Sequence, residues 1–364
     1  MKNIAFKKAL IQLQQSGYEA YLVGGATRDY VMHRVPHDFD ICTNALPNQI
    51  KEVFKEYHYF CLGEKHGTIT VIIDKTPLEI TTYRKEDEYE DFRRPSNVIF
   101  TLDVKEDIIR RDFTINAILM DNNYKIYDYV NGIEDINHGL IRAIGNPHKR
   151  FKEDALRIFR ALRLSAELNF KLEEETLRAM QLNAHLIKHI SNERKSYELL
   201  RIIKANPFIL NEYKDIINHY ITFSDIPLYI TRTNNLNIRL AIIFKDYQDE
   251  LNKLTLSKQD RKIITELINH QDISDNPIEA LSNIDDMSLF IEFQLLTKQI
   301  DYQSFIDNNI AYIVNLTSLD ISSKELIELG FTGKKISEIK KELIQKIQRK
   351  ELTNTRKDIL KYLK

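Results

Sequence analysis

Leu22-Val23-Gly24-Gly25-Ala26-Thr27-Arg28-Asp29, followed after a short helix by His37-Asp38-Phe39-Asp40-Ile41, is the stretch on which the fold turns. An apolar, β-branched run ending in two glycines reads as a strand, a tight turn and the start of a helix. Backbone N–H groups at Gly24 and Gly25 can then approach a triphosphate closely, with the positive helix end aimed at it. Arg28, one turn in, adds a charge-assisted donor. Asp38 and Asp40 lie two apart in a second expected strand, Phe39 to Cys42, whose period of two sends both carboxylates to one face. Two like charges on one face call for a cation between them. Mg²⁺ fits, because it takes hard oxygen ligands and bridges carboxylates to phosphates. With two such ions, one lowers the pKa of an attacking hydroxyl and the other stabilises leaving pyrophosphate during in-line displacement. Glu79, on a later strand, is a third candidate carboxylate by position. The sequence lacks the Gly-x4-Gly-Lys-Ser/Thr pattern of P-loop NTPases.

Working outward, short strands are expected at Ala20 to Val23, Thr68 to Ile73 and Leu78 to Tyr83, with a helix at Asn48 to Glu56. The texture changes near Gly145-Asn146-Pro147, beyond which helix follows helix and no fixed-period repeat appears. The fold class expected is α+β: a head with a small mixed sheet, then an all-helical remainder. At 364 residues the chain exceeds one compact core, so several domains in series are expected. With 43% hydrophobic and 29% charged residues and only 10 Gly and 8 Pro, the composition is that of an ordered, helix-rich protein.

A formal net charge of −1 means that a nucleic-acid partner must be met by local basic patches. The most basic segment is the last, where Lys334, Lys335, Lys340, Lys341, Lys346, Arg349, Lys350, Arg356, Lys357, Lys361 and Lys364 outnumber four acidic residues. Either a solvated helix face or an RNA contact accounts for it. Cys42 and Cys61 are too few for a disulfide framework and lack zinc-site spacing. The opening residues form an amphipathic helix and not a signal-peptide core, and no stretch is long and apolar enough to span a membrane. A cytoplasmic location is the default expectation.

Two further clusters carry chemistry. Arg110-Arg111-Asp112-Phe113-Thr114-Ile115-Asn116 sets two arginines before an aromatic residue, and Arg111 can hold phosphate or ribose or simply flank a core Phe113. In Glu153-Asp154-Ala155-Leu156-Arg157-Ile158-Phe159-Arg160-Ala161-Leu162-Arg163, the spacing puts Asp154, Arg157 and Arg160 on one face of a helix expected over Phe151 to Leu168. The plain outcome is a salt-bridge ladder. The same face offers an acceptor and a planar donor fork to a base edge. Cytosine and adenine present an amino group beside a ring acceptor; uracil and guanine present the opposite polarity. Such a helix selects C and A without a template.

Together these clusters resemble the bacterial tRNA CCA-adding nucleotidyltransferases and the related poly(A) polymerases. The resemblance covers roughly the first 200 residues, including Asp128-Tyr129-Val130-Asn131-Gly132-Ile133-Glu134-Asp135 and Ile190-Ser191-Asn192-Glu193-Arg194 with Glu198. It implies a polymerase-β-like nucleotidyltransferase head at 1–146, a base-reading helical neck at 147–220, a helical body at 221–310 and a basic tRNA-binding tail at 311–364. It implies catalytic metal ligands at Asp38 and Asp40, nucleotide contacts at Gly24, Gly25, Arg28, Arg111, Asp154, Arg157, Arg160 and Arg163, and Mg²⁺ as cofactor. The partners implied are tRNA, through its acceptor arm and 3′ end, and CTP and ATP as substrates, with a homodimer allowed. Tyr83 to Pro95 resembles the flexible loop of enzymes that add all of CCA. The competing expectations are a poly(A) polymerase using ATP alone, and an RNA-binding protein with a degenerate head.

Overall fold

The computed structural model describes residues 4–36, 38–86, 89–90, 94–95, 98–270, 277–282, 284, 286–299 and 302–364, with the backbone alone at 86, 89, 90, 94 and 95. The chain forms two compact units, Met1–Ile221 and Thr222–Lys364.

The first unit opens with α1 (Ile4–Gln15), whose Ala5, Phe6, Ala9, Leu10 and Leu13 form one buried stripe. The spacing is that of an amphipathic helix, and each large apolar side chain on it contributes about 1.5–3 kcal/mol of burial. There follow β1 (Ala20–Val23), α2 (Gly25–Val31), β2 (Asp40–Thr43), α3 (Pro47–Val53), β3 (Tyr59–Phe60), β4 (Thr68–Ile73) and β5 (Thr76–Thr82). Next come four short strands, β6 (Arg84–Glu86), β7 (Tyr89–Glu90), β8 (Arg94–Pro95) and β9 (Val98–Phe100), then α4 (Val104–Ile109), β10 (Leu119–Met120) and β11 (Ile126–Tyr127). Seven strands make one mixed sheet in the order β11-β10-β1-β2-β5-β4-β3, in which only β2 and β5 run parallel.

Alternation divides the sheet's residues between two cores. Leu22, Ile41, Ile69, Val71, Leu78, Ile80 and Met120 pack against α1 and against Ile50 and Phe54 of the α3 region. Val23, Cys42, Tyr83 and Leu119 face the other way, with Ile108, Ala117 and Ile144. Strands β1 and β4 have the expected limits, whereas β2 begins one residue late, at Asp40. Asp38 therefore precedes the strand instead of lying in it, and Phe39 between the two carboxylates is anchored in the α1 core.

After α5 (Gly132–His138) and β12 (Leu140–Ile141), Asn146 caps α6 (Pro147–Glu153) by accepting from Lys149 N, with Pro147 in the first turn. The texture change at Gly145-Asn146-Pro147 is thus a helix start. The helix expected over Phe151 to Leu168 is broken. Asp154 leaves α6 in an extended conformation (φ −144°, ψ 103°), and α7 begins at Leu156 and runs to Leu168. Its Oδ1 accepts from Leu156 N at 3.0 Å, so a carboxylate that competes for backbone donors ends one helix and caps the next. Strand β13 (Lys171–Leu172), α8 (Glu174–Asn183) and α9 (Asn192–Ala205) continue this unit.

One contact fixes the loop of the Asp128–Asp135 motif. Asp128 accepts from the N–H groups of Val130, Gly132 and Ile133, and a Cβ at Gly132 would overlap the Thr114 carbonyl oxygen. Backbone meets backbone there, so no side chain can swing aside. Gly132→Ala is expected to cost about 1–3 kcal/mol, read as a fall of roughly 2–4 °C in Tm per kcal/mol. An unchanged melting curve would mean that the Thr114 turn moves freely.

In the second unit the principal helices are Leu236–Phe244, Lys258–Asn269, Met287–Lys298, Lys334–Gln348 and Arg356–Leu363. The last two close a small core of Val314, Leu319, Ile321, Leu326, Leu343, Ile347 and Ile359. Among the described residues no helix is long and apolar enough to cross a membrane. Cys42 is buried and Cys61 exposed, and they are not bonded to each other.

Candidate active site

The sheet register assembles the site. Val23 pairs with Asp40 across β1 and β2, and Asp40 pairs with Glu79 across β2 and β5. Since Ile41, Leu78 and Ile80 point to the α1 core, Asp40 and Glu79 point to the opposite face. Gly24 follows Val23 at φ +78°, and a Cβ there would lie 3.0 Å from Asp40 Oδ2. The glycine turn thus lies directly against the carboxylate. Burial first, then the neighbouring charge of Glu79, with a further contribution from Asp38, pushes the Asp40 pKa up to about 6 against the partial opposition of Arg111 and Arg160.

These hard oxygen donors, with Glu79 and Asp38 raising the cost of charging Asp40, suit a divalent cation. Among the described residues no three His, Cys, Asp or Glu side chains close around one point. An open carboxylate edge is the form that leaves positions for water and substrate phosphate. Position alone had suggested Glu79; the parallel pairing is what sets it beside Asp40.

Arginines surround this edge, each held by an acid. Arg28 gives Nε and Nη2 to Asp29 Oδ1 and Nη1 to Asn116 Oδ1, the last at 2.8 Å, which ties the glycine turn to the Arg110–Asn116 cluster. Arg111 donates to Asp107 Oδ2 at 2.9 Å, while Arg110 takes Asp107 Oδ1. Asp107 is fully buried. Burial opposes its charge, but Arg111 and Arg110 outweigh it and hold its pKa below the ordinary value. Sequence reasoning gave Asp107 no role, although its i, i+3, i+4 spacing to the two arginines was visible.

The neck residues do not form the expected ladder. Asp154 Oδ2 pairs with Arg194 at 2.9 Å, not with Arg157. Arg157, 8% exposed, donates to Glu153 and to the Arg150 carbonyl. Arg160 reaches across to Asp112 at 2.6 Å, and Arg163 holds Glu198 at 2.6 Å and Glu167 at 2.9 Å. The backbone N–H of Arg157 still donates to the Asp154 carbonyl, but the carboxylate is taken up by Leu156 N–H and Arg194. Arg194 and Glu198, quoted from the later motif without a role, are the partners that hold Asp154 and Arg163. Of the segment Tyr83 to Pro95, read as a flexible loop, residues 87, 88 and 91–93 lie outside the described residues, as does His37, while β6 pairs with β9 and β7 with β8.

Residues 20–142 match the family described as the Poly A polymerase head domain, and residues 169–208 the one described as a probable RNA and SrmB-binding site of polymerase A. The CCA-adding enzyme of Staphylococcus haemolyticus is 35% identical to the chain over 98% of its length and 96% of its own. The chain belongs to the CCA-adding enzymes. The CCA-adding enzyme of Staphylococcus epidermidis is 41% identical over 71% of the chain and 66% of its own length. Among solved structures, the Bacillus stearothermophilus CCA-adding enzyme in complex with CTP superimposes with a TM-score of 0.77, at 26% identity, over 99% of the chain and 96% of that protein. The α+β architecture, with its sheet-bearing head and helical remainder, is thus that of CCA-adding enzymes.

Proposed function

We propose that the chain adds CCA to the 3′ end of tRNA without a template, using CTP and ATP. In this reading residues 1–146 are the catalytic head, 147–220 the base-reading neck, 221–310 the body and 311–364 a tail that grips RNA. Asp38 and Asp40, with Glu79 beside them, hold Mg²⁺. When bound, Mg²⁺ lowers the pKa of the attacking 3′ hydroxyl and neutralises charge on the departing pyrophosphate. Gly24 and Gly25 turn backbone N–H groups to the triphosphate, and Arg28 and Arg111 add charge on either side. Asp154 accepts from the exocyclic amino group of C or A, and Arg157 donates to the adjacent ring nitrogen. Arg160 and Arg163 complete the nucleotide contacts from the same helix.

The observation that carries this reading is the Asp112–Arg160 ion pair, which ties the carboxylate-bearing head to the helix carrying Asp154 and Arg157 within one compact unit. A catalytic edge and a base reader held in one frame are what template-free selection requires. Purified protein with Mg²⁺ and tRNAs ending before CCA, after one C and after two tests it. Ordered growth stopping at CCA is the expected product; A tails of open length would indicate a poly(A) polymerase, and no incorporation an RNA-binding protein.

Gly24→Ala tests the close approach. The added methyl meets Asp40 Oδ2 at 3.0 Å on a backbone of positive φ, so the carboxylate must move. A shift of a few tenths of an ångström is expected to lower kcat by up to about tenfold, less than the roughly 100-fold of a 1 Å misplacement, with tRNA affinity in filter binding unaltered. Native turnover would show that the turn has slack.

A further inference from the structure

The tail carries an open cleft of about 410 Å³. Its walls come from three places. Tyr312 lies in the 3₁₀ turn Ile310–Tyr312; Lys350, Glu351, Leu352 and Thr353 follow the end of the helix Lys334–Gln348; Asp358, Lys361 and Tyr362 belong to the helix Arg356–Leu363. The left-handed turn at Lys350 (φ +63°) swings the chain around the cleft. Lys350 Nζ stands 5.2 Å from the Tyr312 ring centre and Lys346 Nζ 5.3 Å from that of Tyr362. Lys346 is neutralised by Glu351 at 3.1 Å. Among the described residues no carboxylate pairs with Lys350 or Lys361.

The inventory is specific. Two aromatic rings line the cleft, each with a lysine ammonium over one face; two carboxylates of the lining accept from an amino group, and two lysines without an acid partner suit phosphate. An all-basic groove would bind backbone alone. This mixture suits a base taken out of its stack, which is how single-stranded or looped RNA is held by aromatic side chains. We propose that this tail cleft receives one unstacked nucleotide of the RNA substrate, its base against Tyr362 and its phosphates at Lys350 and Lys361. The inference rests on the reading of the chain as an RNA-binding transferase and names a contact within the tail.

The test uses the full chain and a tRNA transcript ending before CCA, with affinity from filter binding between 50 and 200 mM salt. Tyr362→Ala is expected to weaken binding about tenfold, within the range that stacking of one base supplies, without changing the salt slope. Tyr362→Phe keeps the ring and should bind within about twofold of the native chain. Lys350→Gln and Lys361→Gln should each reduce the slope by about 0.7–0.9. Ultraviolet cross-linking followed by mass spectrometry should place a nucleotide adduct on Tyr362. Native affinity of Tyr362→Ala, an effect of the lysine variants alone, or adducts confined to residues 1–221 would each overturn the proposal. These readouts do not involve transfer, so native RNA binding without CTP incorporation would defeat the proposed function and leave the cleft assignment standing.

Discussion

Asp40→Asn is expected to lose nucleotide transfer by at least about 1,000-fold, since one hard ligand is removed from the metal edge, while binding tRNA as the native chain does. The same substitution is expected to stabilise the metal-free protein. Asp40 titrates at about 6 in the folded chain against an ordinary value of 3.8, because burial, Glu79 and Asp38 all disfavour its charge. Between those two values the folded state holds more proton than the unfolded state, so stability falls as pH rises through the window and stays lowered above it. Asparagine carries no charge to be penalised. In EDTA the variant should melt a few degrees higher at pH 7.5, for a gain of up to about 3 kcal/mol, and show no advantage near pH 4. Equal melting at both pH values would mean that the carboxylate edge is not strained; native turnover would remove Asp40 from the metal site.

The second large effect is on selectivity. Asp154→Ala should raise incorporation of UTP and GTP relative to CTP and ATP by about 10- to 100-fold, the cost of losing one half-buried charged acceptor to an amino group. Because Asp154 also caps α7 and pairs with Arg194, alanine costs stability as well, about 1 kcal/mol for the cap. Asp154→Asn separates the two effects, since the amide oxygen still caps Leu156 N–H while the NH₂ offers a donor where the acid had none. Relaxed selectivity is the expected outcome for Asn, with a melting loss smaller than that of alanine because the cap is kept and only the pair with Arg194 is lost. Unaltered discrimination in both variants would take Asp154 out of base reading.

The residues that make the site were legible because local chemistry marks them. Paired glycines after a strand, an Asp-x-Asp beside a hydrophobic run and Arg-Arg-Asp-Phe are short-range patterns, and the sheet positions alternate as a half-buried strand must. What they touch was not legible. The neck ladder was misread because helical spacing assumes an unbroken helix, and the break at Asp154 depends on Arg194, 40 residues later, to hold the freed carboxylate. Asp107 was passed over although its arginines were noticed, since the value of a buried acid appears only when its exposure is known. The alternation and glycine punctuation of the sequence by itself determined a mixed-sheet head followed by helices, and marked Asp38 and Asp40 as the candidates for its chemistry. Only the tertiary structure decided that Glu79 stands beside Asp40, that Arg160 reaches Asp112 and that Asp154 answers to Arg194. Each of these pairings joins segments far apart in the chain, and no local spacing encodes the strand register and helix packing that bring them within bonding distance.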